Sequence, residues 1–90
     1  MTEDQERQQA FERAREVKDA HEQELLSKRH VVGGGVGLRQ RGGEYTDTVA
    51  LIVMVDSKLP TDELDPDDVI PSEIEGVPVD VQEVGQIRAQ

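Results

Sequence analysis

Apolar residues recur at steps of three and four along the first third of the chain. Ala10, Ala14, Val17, Ala20, then Leu25 and Leu26, with Phe11 beside them, mark one stripe. The stripe predicts a helix from residue 3 to about residue 28. Thr2 with Gln5 fits a capping box, and Glu3, Asp4 and Glu6 suit the positive end of a helix. Lys28 and Arg29 suit the negative end. Glu, Gln and Arg dominate the first two turns, so residues 1–10 are expected to fray, with packing beginning near Phe11.

From Val31 the period falls to two. Val32, Val36 and Leu38 share one face of a strand over residues 31–40, and Gly33, Gly35 and Gly37 share the other. A glycine face lets another element approach the backbone closely, so these three glycines are expected to serve close packing. Arg41-Gly42-Gly43-Glu44 reads as a tight hairpin turn, because paired glycines accept positive φ. Residues 47–56 form the clearest strand. Val49, Leu51, Val53 and Val55 line one face, and Ala50, Ile52 and Met54 line the other. A strand apolar on both sides is usually central and covered twice.

Residues 57–76 are punctuated by Leu59-Pro60, Asp65-Pro66 and Ile70-Pro71. Thr61 and Asp65 are placed to cap two short helical turns. Leu59, Leu64, Val69, Ile70 and Ile74 are spread as apolar anchors, which predicts an ordered strap across the fold. Glu75-Gly76 reads as a turn. Val77, Val79 and Val81 then give a third strand. Pro78 lacks an amide donor, so this strand is expected at an edge or with its start unpaired. Gln82-Glu83-Val84 breaks the alternation, as a bulge or a strand end would.

These elements predict an α+β fold in the order α-β-β-β. An N-terminal helix packs on a small three-stranded sheet, and a proline-rich strap precedes the last strand. The hairpin makes the first two strands antiparallel, while the strap is long enough for either orientation of the third. Residues 11–85 are expected to form one domain, with a tail over 86–90. Ninety residues allow no more than one domain, which buries roughly 60–65% of its unfolded surface.

Charge narrows the partners. Asp and Glu number 20 against 10 Lys and Arg, for a net charge of −10. That field repels phosphate backbones and anionic bilayers, so neither nucleic acid nor membrane is an expected partner. A solvated surface explains the charge, and a salt-adapted proteome would produce the same excess of carboxylates. The longest apolar run, Val49 to Val55, is far short of the ~20 residues that span a bilayer. The N-terminal sequence is charged and reads as neither signal nor transit peptide, which places the chain in the cytoplasm.

Candidate chemistry is sparse. There is no cysteine, which removes disulfides, thiolate metal sites and thiol catalysis. Gly33-Gly34-Gly35-Val36-Gly37 follows a helix and enters a strand without a Lys-Ser/Thr pair, the reverse of a phosphate loop. His21 and His30 are the only histidines, and Glu24 near His21 suggests no third ligand, so no metal site is expected. Ser27, Ser57 and Ser72 lack a nucleophile motif. Asp56, Asp62, Asp65, Asp67 and Asp68 do not follow calcium-loop spacing. The chain is therefore expected to be no enzyme and to need no cofactor. One helix can cover only one face of a sheet. Ala50, Ile52 and Met54 then need the strap, a protein partner or a second copy to cover them, and they are the expected interaction surface.

One longer pattern stands out. It comprises Val31 to Leu38, Gly42 to Val55, Lys58-Leu59-Pro60, Asp65 to Pro71 and Ile74 to Gly85. It resembles the N-terminal domain that precedes trypsin-like serine peptidase domains in a bacterial and archaeal family. In that family the catalytic residues follow the Glu-Val-Gly stretch, so none is carried over. The resemblance implies a non-catalytic accessory or pro-region-like module that works by protein contact. The alternative is a structural protein that assembles into a homo-oligomer.

Overall fold

A computed structural model describes residues 3–85. The expected cap at Thr2 and the expected tail over 86–90 lie outside the described residues. Helix α1 spans Glu3–Leu26, strand β1 Val31–Arg41, and strand β2 Glu44–Val55. Two 3₁₀ turns follow, at Thr61–Glu63 and Pro66–Asp68. Strand β3 is Glu73–Ile74, and strand β4 is Val77–Glu83. The architecture is α+β with four strands in the order β1-β2-β4-β3.

The expectation of three strands missed β3. Two residues carry no readable period, and these sit at the end of the strap. Glu73 and Ile74 pair antiparallel with Pro78 and Val77 around Glu75 and Gly76. Gly76 has φ 83° and Glu75 φ 50°, as a tight reversal demands. The sheet is mixed. β2 is antiparallel to β1 but parallel to β4, with Leu51 opposite Val79 and Val55 opposite Glu83. Residues 56–76 form the crossover that a parallel pair needs. Pro78 lies before the β2–β4 ladder begins at Val79, so its missing amide costs that ladder no bond.

Helix α1 buries Ala14, Val17 and Leu25 against Leu51, Val53 and Val55 of β2 and Val77 and Val79 of β4. These side chains form the core, and each fully buried Val or Leu contributes about 1.5–3 kcal/mol. Residues 3–10 are helical, and residues 4–9 are exposed. Ala20 and Leu26 of the predicted stripe face solvent; the step between Val17 and Leu25 is taken by half-buried His21. The helix ends before Lys28 and Arg29, and both serve the strap instead. Lys28 Nζ donates to the Asp67 carbonyl at 2.7 Å, and the Arg29 amide donates to Asp68 Oδ1 at 2.9 Å.

Strand β1 departs from a plain period of two. Val31 lies opposite Val55, but Gly33 lies opposite Met54, so β1 has one extra residue at Val32. The bulge turns Val31 toward the core and leaves Val32 exposed, the reverse of the strict alternation. The hairpin closes with Arg41 opposite Glu44, and Gly42 and Gly43 have φ 59° and 84°, values that favour glycine.

Candidate functional site

The register gathers the residues of the expected interaction surface on the sheet face away from α1. Gly33, Gly35 and Gly37 lie opposite Met54, Ile52 and Ala50 in turn. Asp80 and Gln82 of β4 continue the face beyond Ile52 and Met54. No described element packs over the glycine row. Side chains from β2 lean on it instead: a Cβ at Gly33 would sit 3.0 Å from Met54 Cε, and one at Gly37 would sit 3.6 Å from Ile52 Cγ1. At Gly35 the space is open, with nothing within 4 Å.

The three apolar residues of this face differ. The Gln40 amide at the far end of β1 donates to Asp80 Oδ2 at 3.0 Å, and Gln82 Nε2 donates to the same oxygen at 3.1 Å. The first bond spans β2, because β1 and β4 are not neighbours. The end of β1 therefore bends over the sheet, and Ala50 is fully buried without a helix above it. Ile52 and Met54 are half-buried, which leaves these two as the accessible members.

The sheet's edges are unequal. β3 is two residues long, whereas β1 is eleven and, among the described residues, pairs only with β2. Beside the β1 edge, Val32 is 42% and Leu26 48% exposed. Residues 31–38 carry no charge.

A second region lies on the helix side, where the α1–β1 joint meets the strap. His30 has φ 73°, a left-handed conformation that costs a residue with a side chain about 1–2 kcal/mol. Asp56 holds it twice. The Asp56 amide donates to the His30 carbonyl at 2.9 Å, and Asp56 Oδ1 lies 2.8 Å from His30 Nδ1. A cavity of about 180 Å³ opens beside this pair, floored by Leu64, Val69, Ile70 and Val81 and rimmed by Arg29 and Lys58. Sequence reasoning placed His30 at this joint but missed the cavity, because its walls come from four separated segments.

A third cluster pins the turn between β3 and β4 to α1. His21 Nε2 lies 2.9 Å from Glu75 Oε2, His21 Nδ1 lies 3.4 Å from Glu24 Oε2, and Arg13 Nη2 lies 3.3 Å from the Glu75 carbonyl. The hydrogen bond to Glu75, and then that to Glu24, raises the His21 pKa above 6.5. Among the described residues, no group of three or more His, Asp or Glu side chains is placed to hold a metal ion. None of the described helices is long and apolar enough to cross a membrane.

These features define a two-layer α+β domain with one open sheet face and one long free edge. The chain belongs to the NARROW LEAF 1 N-terminal domain family, whose model matches residues 15–84. That match corrects the resemblance to the domain preceding trypsin-like peptidases. The residues behind the resemblance, from the glycine strand to the final strand, fall almost wholly within the matched span. No curated protein matches the chain.

Proposed function

We propose that the chain is a non-catalytic protein-interaction module that takes an extended partner segment along β1 and the glycine-lined face beside it. The supporting observation is the asymmetry of the sheet. A free strand edge is a row of unpaired donors and acceptors, and short strands, charges or cover normally blunt it. β3 is blunted by its length, but β1 is long and uncharged from Val31 to Leu38. Ile52 and Met54 lie beside it, over open space at Gly35. Backbone pairing would supply affinity, and these side chains would supply selectivity. The cysteine-free composition suits a reducing compartment, and we place the module in the cytoplasm.

The test is a photo-reactive side chain introduced at Met54, with a control at exposed Glu12 on α1, in the cells that make the protein. One dominant adduct from the Met54 position, absent from the control, is expected. Equal adducts from both positions would remove the reading.

The uncharged edge also favours a second reading, in which two copies pair through β1 into a homo-oligomer. Two chains of net charge −10 repel, so such a dimer would tighten with salt. Light scattering after size exclusion at low and high salt tests it. A monomer under both conditions rules out self-assembly.

A further inference from the structure

We propose that His21 is a proton-operated latch: its charged ring clamps the turn between β3 and β4 to α1, and the neutral ring lets that turn and β3 come away from the sheet. The sheet then has one permanently free edge, at β1, and one gated edge, at β4. The latch lies at the opposite end of the strand order from β1, so it stands or falls apart from the interaction reading.

Both ring nitrogens of His21 face carboxylates. Nε2 lies 2.9 Å from Glu75 Oε2, and Nδ1 lies 3.4 Å from Glu24 Oε2. A charged imidazolium donates to both, whereas a neutral ring has one N–H and turns a lone pair toward one of them. The surrounding charge favours the cation. Arg13, Glu16 and Glu24 come from α1, Glu73 and Glu75 from β3 and its turn, and Lys28 lies just beyond the helix end. Four carboxylates therefore stand against two cations around the ring. The raised pKa of His21, caused first by the bond to Glu75 and then by that to Glu24, agrees with this geometry.

What the latch holds is weakly built. β3 is two residues long and pairs Glu73 with Pro78 and Ile74 with Val77. Pro78 offers no amide to that pairing. Beside it, the Val79 amide donates to the Ser72 carbonyl at 2.9 Å. Glu75 is left-handed at φ 50°, a conformation disfavoured for a residue with a Cβ. Its carboxylate meets His21, and its carbonyl accepts from Arg13 Nη2 at 3.3 Å. A cavity of about 300 Å³ is lined by Leu25 on α1 and by Pro71 and Ile74 next to the turn. Short segments with few bonds are where native proteins open locally. Opening here uncovers the edge of β4 from Val77 to Val79 and lifts Ile74 from the core cluster it packs against. The ring is charged below pH 6.5, where the turn is held, and the hold is lost as pH rises through the higher folded value.

The experiment is amide hydrogen exchange of the full chain by NMR from pH 6 to pH 8.5, corrected for intrinsic base catalysis and run without urea and at about 1 M urea. Low urea promotes global unfolding, which exposes much surface, and leaves a local opening almost unchanged. The Val79 amide reports the latch, because its bond to Ser72 is lost on opening, and the Leu51 amide of buried β2 reports global unfolding. Val79 is expected to open by a urea-insensitive route whose equilibrium constant rises several-fold across this pH range. His21→Leu keeps bulk without charge and should show the high-pH opening at every pH. His21→Arg keeps the charge and should hold the opening low throughout. Circular dichroism checks that both variants fold, and the wild-type profile decides even where one does not. A wild-type opening at Val79 that ignores pH, an opening there as urea-sensitive as that of Leu51, or an unchanged pH rise in folded His21→Leu overturns the proposal.

Discussion

Gly35→Ala separates what this glycine does for the fold from what it does for a partner. Its backbone is in the strand region, without a positive φ. A methyl at Gly35 would meet nothing within 4 Å, so no clash opposes it. Alanine lowers the conformational entropy of the unfolded chain, which stabilises the fold by about 0.4–1 kcal/mol where the native conformation is compatible. For a domain of this size, that raises the melting temperature by roughly 2–8 °C. Thermal melts followed by circular dichroism measure it, with Gly33→Ala as the comparison. There the new methyl meets Met54 Cε at 3.0 Å, and the flexible methionine end must move, so little or no gain is expected. A fall of several degrees in Gly35→Ala would refute the claim that this face is open in the free chain. If the melt rises while the Met54 adduct is lost, the glycine is kept for the partner and not for the fold.

Three further outcomes follow from the packing. Leu51→Ala empties a fully buried position beneath α1 and should cost about 2–5 kcal/mol, a large share of the roughly 5–15 kcal/mol of a typical domain; urea denaturation reads it as a fall in midpoint. Gly43→Val places a β-branched residue at φ 84° and should cost about 1–2 kcal/mol, with no such penalty for Val32→Thr on the exposed bulge. The His21 contact with Glu75 raises the histidine's pKa above 6.5. Its contribution to stability is therefore full below pH 6.5 and fades as pH rises through the higher folded value. Denaturation from pH 5 to pH 8.5 should show this slope, Glu75→Gln should flatten it, and an unaltered slope in that variant would refute the assignment.

The periodicities show how far local pattern reaches. The helix, both long strands, the glycine turn and the parity of Ala50, Ile52 and Met54 follow from residue spacing, because each face is set by backbone geometry alone. β1 strays from its pattern where Val32 bulges, an insertion visible only against Val55 and Met54 on the neighbouring strand. β3 is too short to have a period. The family was not legible either: the residue pattern suggested the domain preceding trypsin-like peptidases, and the family match overturned it.

The candidate sites divide in the same way. The sequence by itself determined which residues are apolar on both sides of β2, that glycines alternate along β1, and that the net charge is −10. Only the tertiary structure decided that the two rows share a face, that Ala50 is closed off by the Gln40–Asp80 bond while Ile52 and Met54 stay accessible, and that β4 runs parallel to β2. It alone joined Arg29, Lys58 and Val81 around one cleft. The reason is physical. Spacing along a chain fixes the direction of a side chain relative to its own backbone, whereas register, strand order and the path of a crossover are set by long-range packing, and those decide which directions converge.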